Sequence, residues 1–172
     1  MAADAEFEAI VDLYYPSLYR FALSLTRQDS DASDLTQQTF YTWSTKGEQL
    51  RDASKVKAWL FTTLHRAFLQ TRRRQTRFPH FELDEVDPEL PWISPQETSD
   101  LDGGEVLNAL ARIDEVFRAP LALFYLEDYP YKEIALVLNV PLGTVKSRIA
   151  RGIVQLKKLL APADYCPQRI AA

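Results

Sequence analysis

Basic and small polar side chains that could bind DNA lie together near the C-terminal end of the chain, at Lys146, Ser147, Arg148 and Arg151. Lysine and arginine neutralise phosphates, and at the start of a recognition helix such side chains also reach base edges in the major groove. The chemistry that this cluster favours is the recognition of duplex DNA.

The residues around the cluster predict the helix-turn-helix that would present it. Pro130 fits the first residue of a short helix, Asn139 fits a left-handed residue that closes it, and Thr144 can cap or open the next helix. The apolar stripes of the two helices are Ile134, Ala135 and Leu138, then Val145, Ile149, Ile153 and Leu156. A helical hairpin whose charges form only a solvated face is the alternative reading.

Composition limits the remaining choices. The 172 residues are 47% hydrophobic and 26% charged, and only 5 are glycine, which together with few alternating runs favours an all-α chain. A single cysteine excludes an internal disulfide framework, and with no signal peptide in sight it predicts a cytoplasmic location. No apolar run is long enough for membrane insertion.

Charge is segregated into blocks, although the net charge is only −4. No acidic residue occurs from Ala53 to Phe81, and nine occur from Glu82 to Glu105, where lysine and arginine are absent. From Ile134 to Ala163 the chain is basic again. Such blocks are typical of interaction surfaces, and nucleic acid is the expected partner of the two basic ones.

Hydrophobic periodicity predicts three helices before the acidic block, over about 6–26, 34–46 and 55–74, with a kink at Pro16. Residues 78–104, which include most of the acidic block, contain four prolines and read as a linker. We therefore expect two small helical domains, 1–77 and 105–161, joined by an acidic flexible linker, 78–104, and followed by a tail, 162–172.

Two separated signatures resemble the extracytoplasmic-function group of bacterial sigma factors. Asp34-Leu35-Thr36-Gln37-Gln38-Thr39-Phe40 is similar to the region 2 pattern Asp-Leu-x-Gln-Glu-x-Phe. Lys57-Ala58-Trp59-Leu60-Phe61, followed by Arg72-Arg73-Arg74, resembles the helix of that region that ends in arginines. Tyr131-Lys132-Glu133-Ile134-Ala135 and Gly143-Thr144-Val145-Lys146-Ser147-Arg148 resemble region 4.

This resemblance implies a dissociable subunit that binds core RNA polymerase and directs promoter recognition, promoter opening and transcription initiation. The implied core polymerase contacts are Asp34, Leu35, Gln37, Gln38 and Phe40. The implied contacts to the melted minus-10 element are Lys55, Lys57, Trp59, Arg66, Arg72, Arg73 and Arg74. Those to the duplex minus-35 element are Thr144, Lys146, Ser147, Arg148, Arg151 and Lys157.

The chain departs from the family pattern at a few positions. Gln38 stands where glutamate is frequent, and Arg66 stands where asparagine is frequent on the promoter-facing helix, so the usual base reading there is not carried over. Many members are held inactive by an anti-sigma factor, and the sequence leaves open whether this chain has one. Promoter sequence, regulon and signal are not encoded in these patterns.

Two other classes of protein are alternatives to a sigma factor. A stand-alone helix-turn-helix regulator with an N-terminal sensor or dimerisation domain would bind duplex DNA without core polymerase. A helical enzyme is disfavoured, because the two histidines, His65 and His80, lie in a basic helix and in the linker. No phosphate-binding glycine loop or nucleophile motif occurs, so no catalytic residue, metal or cofactor is expected.

Overall fold

The structure, a computed structural model, describes residues 2–75 and 103–160, and within these ranges every regular element is helical. The α-helices are α1 (Ala2–Thr26), α2 (Asp29–Lys46), α3 (Val56–Gln75), α4 (Gly103–Leu110), α5 (Glu115–Tyr125), α6 (Tyr131–Leu138) and α7 (Leu142–Leu160). Two short 3-10 turns, Gly47–Gln49 and Ala53–Lys55, connect α2 to α3. The prediction of an all-α fold is confirmed for the described residues.

Helices α1, α2 and α3 form an N-terminal unit around large apolar side chains. Leu18, Phe21, Leu60, Phe61 and Leu64 are fully buried there. The rings of Phe21 and Phe61 lie 5.3 Å apart and tilted by 45°. Burial of each such side chain stabilises the fold by about 1.5–3 kcal/mol, so the apolar stripes of the sequence account for the packing of these helices.

The starts of α1 and α2 differ from the sequence prediction. Helix α1 begins at Ala2 rather than near residue 6, and it includes Pro16. Helix α2 begins at Asp29 rather than Asp34. Acidic side chains in a first turn interact favourably with the helix dipole, and the Tyr19 hydroxyl donates to Asp29 Oδ1 at 2.7 Å. These local interactions turn the predicted polar turn into helix.

Helices α4 to α7 form a C-terminal unit in which α5 packs closely on α7. Gly152 of α7 makes this approach possible: a Cβ placed there would lie 2.5 Å from Leu121 Cδ1 and 3.0 Å from Phe117 Cβ. Both contacts are shorter than side chains normally tolerate. The missing side chain of Gly152 therefore fixes how α7 sits on the unit.

The two units pack against each other, and we call this the closed arrangement. Helix α1 contacts α5 and α4, and α3 contacts α6. The buried apolar residues of both units form one continuous cluster. The predicted linker, 78–104, lies outside the described residues except for its last two positions, and the predicted tail, 162–172, lies wholly outside them. The division into separately folding domains stays a prediction.

The close approach at Gly152 generates a stability prediction. Gly152→Ala is expected to lower the free energy of unfolding by about 1–3 kcal/mol, because overpacking the contact with α5 outweighs the gain in helix propensity. Urea unfolding followed by circular dichroism measures the change. Gly143→Ala on the same helix is the matched control, since its added Cβ meets nothing within 4 Å. Equal stability of the two variants would contradict the packing argument.

Candidate nucleic-acid interface

The turn between α6 and α7 has the geometry predicted for a helix-turn-helix. Asn139 adopts φ 53° and ψ 50°, in the left-handed region that asparagine tolerates better than most residues. The N–H of Val140 donates to the carbonyl of Ala135 at 3.1 Å, which satisfies the end of α6. Pro130 precedes the first residue of α6, one position earlier than expected. The prediction for Asn139 is confirmed.

One side of α7 is buried and the other carries the predicted DNA-binding residues. The buried stripe consists of Val145, Ile149, Ile153 and Leu156, each at most 6% exposed, as predicted. On the outer side Lys146 and Lys157 are exposed, and Ser147, Arg148 and Arg151 are partly exposed. The helix is therefore an amphipathic rod with a basic outer side.

Thr144 corrects the sequence prediction for the start of α7. The helix begins at Leu142, so Thr144 lies inside its first turn and neither caps nor opens it. The side chain is buried at 7% exposure, and its carbonyl accepts from the Ser147 hydroxyl at 3.4 Å. Thr144 thus packs the helix start and lies away from the basic outer side.

Arg148 is partly buried, and burial lowers the pKa of its guanidinium. Burial, followed by the charges of Arg148 and Arg66, lowers the pKa of His65 on α3 to about 4. His65 is therefore neutral near pH 7, and the charge of one residue of α7 acts on α3.

Four of the predicted minus-10 residues on or beside α3 are exposed: Lys55, Arg66, Arg73 and Arg74. Lys55 Nζ lies 3.7 Å from Asp52 Oδ2, and both side chains are more than half exposed. Exposed pairs of this kind contribute little to stability. These side chains form a solvent-facing basic surface, as the sequence predicts.

Lys57 is engaged by the C-terminal unit. Its ammonium lies 3.8 Å from Glu127 Oε2 and donates to the Glu127 carbonyl at 3.4 Å. It also lies 4.7 Å from the centroid of the Tyr129 ring, within the range of a cation–π interaction. In the closed arrangement this predicted DNA contact is held by an acidic and an aromatic side chain.

Arg72 is engaged in the same way. Its Nε donates to Glu115 Oε1 at 3.0 Å, and its Nη2 donates to Glu115 Oε2. Two parallel bonds between a guanidinium and a carboxylate are the strongest form of such a pair. A second predicted minus-10 residue is thus paired with the C-terminal unit.

Trp59 packs within its own unit. Its ring lies 5.1 Å from the ring of Trp43 at 70°, in an edge-to-face contact, and the side chain is partly buried. Gly47 lies under the same Trp43 ring, where an added Cβ would be 2.7 Å away. This packing favours a core role for Trp59 over base stacking.

Helix α2 divides the predicted polymerase contacts into two groups. Asp34, Gln37 and Gln38 are exposed on one side. Leu35 and Phe40 are 8% and 6% exposed and belong to the core, and their contact with polymerase stays a prediction. An apolar side chain at these positions is buried because α2 packs on α1 and α3, so these two residues position the polar side of the helix.

A polar cleft of about 330 Å³ lies next to that polar side. Asp34 and Gln38 line it from α2, and Glu115 and Arg118 line it from α5. Arg118 is 6% exposed and donates to the Ile113 carbonyl at 2.9 and 3.1 Å. Burial, followed by the charge of Arg27, lowers its pKa. The predicted polymerase surface therefore borders directly on the C-terminal unit.

Three residues that form ion pairs between the two units were missed by the sequence prediction: Arg20, Glu115 and Glu127. Arg20 Nη2 lies 3.4 Å from Glu127 Oε1, across 107 positions of the chain. Burial raises the pKa of Glu127 despite the nearby charges of Lys57 and Arg20. A pair separated by this much sequence leaves no local pattern, so a single sequence offers no signal for it.

Within 2–75 and 103–160, no cluster of three metal-ligating side chains occurs. Over the same ranges, no helix is long and apolar enough to cross a membrane.

Comparison with known proteins identifies both units. Residues 10–78 match the family model for sigma-70 region 2, and residues 103–156 match that for sigma-70 region 4. The chain is 33% identical over 165 residues to the ECF RNA polymerase sigma factor SigE of Mycolicibacterium smegmatis, covering 93% of this chain and 63% of that protein. It is 30% identical to EcfG of Rhodopseudomonas palustris, covering 84% and 80%.

A solved structure shares the arrangement of helices. The sigma factor RpoE of Bartonella quintana, in complex with the anti-sigma factor NepR, superposes with a TM-score of 0.69 at 28% identity, covering 90% of this chain and 96% of that one. Regions 2 and 4 in this order define a sigma factor. The chain belongs to the extracytoplasmic-function group of the sigma-70 family.

Burial of His65 gives the fold a pH dependence of known sign. With a pKa of about 4 in the structure and 6.5 in the unfolded chain, His65 binds fewer protons when folded. Its contribution is fully present above about pH 6.5 and is lost as the pH falls toward 4. Between about pH 7.5 and pH 5 this group should remove about 2 kcal/mol from the free energy of unfolding.

Unfolding of the wild type and of His65→Gln at both pH values measures the effect. Glutamine does not titrate, so the variant should lose about 2 kcal/mol less than the wild type on acidification. The raised pKa of Glu127 has the opposite sign and is common to both proteins. The same acid sensitivity in both proteins would show that His65 titrates as an exposed histidine.

Proposed function

We propose that this chain is the dissociable subunit that lends promoter recognition to RNA polymerase: it binds the core enzyme, directs it to promoters, and takes part in promoter opening and transcription initiation. The observation that carries the proposal is the presence of regions 2 and 4 in one chain, the second with a basic helix-turn-helix. The related proteins are themselves named RNA polymerase sigma factors.

The polar side of α2 is the proposed surface for core polymerase. Asp34, Gln37 and Gln38 are exposed there, and the Gln37 amide donates to the Ser33 hydroxyl at 3.3 Å. Leu35 and Phe40 support this surface from below. Exposed amides and a carboxylate on a rigid helix can form an interface of directional hydrogen bonds, which needs no change in the core of the unit.

The basic surface of α3 is proposed to hold the opened minus-10 element. Lys55, Arg66, Arg73 and Arg74 are available to the backbone of a single strand, and Lys57 and Arg72 join them once the C-terminal unit has moved away. Unpairing DNA costs a few kcal/mol, which contacts to an unstacked strand offset. Trp59, which packs against Trp43, is proposed to support this surface from within the unit.

The outer side of α7 is proposed to read the minus-35 element in duplex form. Lys146, Ser147 and Arg151 are assigned to base edges, because residues near the start of a recognition helix reach the floor of the groove. Arg148 and Lys157 are assigned to phosphates, which fix register without reading sequence. Thr144 is left out of this set, since it is buried.

The proposal includes two separable domains, 1–77 and 105–161, acting in the cytoplasm without catalysing a reaction of their own. It also includes regulation by a partner protein, since the structural relative RpoE was solved with an anti-sigma factor.

Reconstitution tests the function directly. The full chain should co-purify with core RNA polymerase and support run-off transcription from a promoter that core alone does not use. It should bind promoter duplex tightly and specifically only when core is present, because two small domains make too few contacts to melt DNA alone. Nanomolar, sequence-specific binding by the isolated chain would instead favour the stand-alone regulator.

The division of labour on α7 is tested in the reconstituted holoenzyme. Arg151→Ala should reduce discrimination between the preferred and a substituted minus-35 element by about 1–3 kcal/mol. Lys157→Ala, with the same change in charge on the same helix, should weaken binding to both DNA sequences alike and reduce the salt dependence of the binding constant. Equal loss of discrimination in the two variants would refute the assignment.

A further inference from the structure

The loop between α5 and α6, residues 126–130, contacts both α1 and α3, and we call it the inserted loop. Asp128 adopts φ 54°, and the N–H of Tyr129 donates to the Leu123 carbonyl at 3.0 Å, so the loop is tightly folded. Asp128 itself is exposed, whereas Glu127 and Tyr129 on either side of it are buried. The loop thus directs one carboxylate and one aromatic ring onto the N-terminal unit.

The carboxylate of Glu127 occupies a site made by two cations. Its side chain is 3% exposed and lies 3.4 Å from Arg20 Nη2 and 3.8 Å from Lys57 Nζ. Those two side chains remain 46% and 38% exposed. One buried negative charge therefore faces two cations that are still open to solvent, which leaves the site with a surplus of positive charge.

The ring of Tyr129 lies beside this site. It contacts the Phe61 ring edge-on, with centroids 5.6 Å apart at 66°, and the ammonium of Lys57 lies 4.7 Å from its centroid. Glu127 and Tyr129 thus present an anionic group and a planar ring, which the N-terminal unit holds with cations and an aromatic side chain. A nucleotide of single-stranded DNA would present the same two groups, a phosphate and a base, to the same side chains.

We propose that Arg20 and Lys57 form one anion site for a phosphodiester of single-stranded DNA, and that Glu127 is its internal occupant in the closed arrangement. Arg20 lies on α1 and is not among the predicted minus-10 residues. The site therefore extends the basic surface of α3 onto α1. Single-stranded DNA and the inserted loop then exclude each other. The assignment of a DNA strand to this site rests on the proposed function of α3.

Charge and position favour a phosphate as the external ligand. Lys57 lies only two residues beyond exposed Lys55 in the chain, at the start of α3, so both cations are within reach of one short strand. Burial raises the pKa of Glu127, so its carboxylate is held at a cost that a partly solvated phosphate does not incur. The internal occupant can therefore be displaced.

The test measures binding of a fluorescein-labelled single-stranded DNA oligonucleotide of mixed sequence to the full chain, by anisotropy over a range of salt concentrations. Glu127→Lys places a like charge against the two cations and should expel the loop. Glu8→Lys is the matched control, since Glu8 is exposed and the change in net charge is the same. Small-angle scattering should show a larger radius of gyration for Glu127→Lys than for Glu8→Lys.

One phosphodiester bound at the freed site in Glu127→Lys should steepen the dependence of log K on log salt by about 0.7 relative to Glu8→Lys. Adding Arg20→Gln or Lys57→Gln to Glu127→Lys should each reduce that gain, whereas adding Lys132→Gln, an exposed lysine of α6, should not. An oligonucleotide with neutral methylphosphonate linkages should show no gain.

No increase in slope over Glu8→Lys, whatever the radius of gyration, overturns the proposal. So does an increase that survives both Arg20→Gln and Lys57→Gln, because the phosphates would then be bound elsewhere. If Glu127→Lys loses helical content, Tyr129→Ser, which removes the ring that anchors the loop, takes its place and is compared with the wild type, since this substitution leaves the net charge unchanged. The assay contains no polymerase, so failure of transcription with core would count against the sigma function and leave this result intact.

Discussion

The contact of Glu127 with Arg20 and Lys57 sets the register in which the two units of the closed arrangement meet. Removing a carboxylate from water is costly, and the raised pKa of Glu127 means that the two cations do not offset that cost completely. The remainder must come from apolar packing, including Tyr129 on Phe61 and the continuous cluster of both units. The two units are therefore held by hydrophobic burial, while the charges determine their register.

Some residues proposed to bind DNA or polymerase also take part in the contact between the two units. Lys57 and Arg72 are proposed to bind a DNA strand, yet each is paired with a carboxylate of the C-terminal unit. Asp34 and Gln38 are proposed to bind polymerase, yet they line a cleft whose other wall is α5. In the closed arrangement Lys57 and Arg72 are thus engaged within the chain, and a DNA strand that bound them would do so at the expense of these contacts.

The helices and their buried sides were predictable from the sequence because they follow from periodicity. The stripe of α7 from Val145 to Leu156 and the left-handed Asn139 are local features that a window of residues contains. The start of α2 was wrong because Asp29 and Asp31 stabilise a first turn that resembled a polar loop. Thr144 was misjudged because the helix begins at Leu142, which turns its side chain inward.

The pairing of the two units was not predictable, because it joins residues distant in the chain. Glu127 bonds Lys57 across 70 positions and Arg20 across 107. That separation also has a meaning in time. At about 5–20 residues per second, roughly 4–14 s of synthesis separate Lys57 from Glu127. During that interval Glu127 has not yet been synthesised, so the N-terminal unit cannot form the closed arrangement. Each newly made chain therefore first exists in an open form.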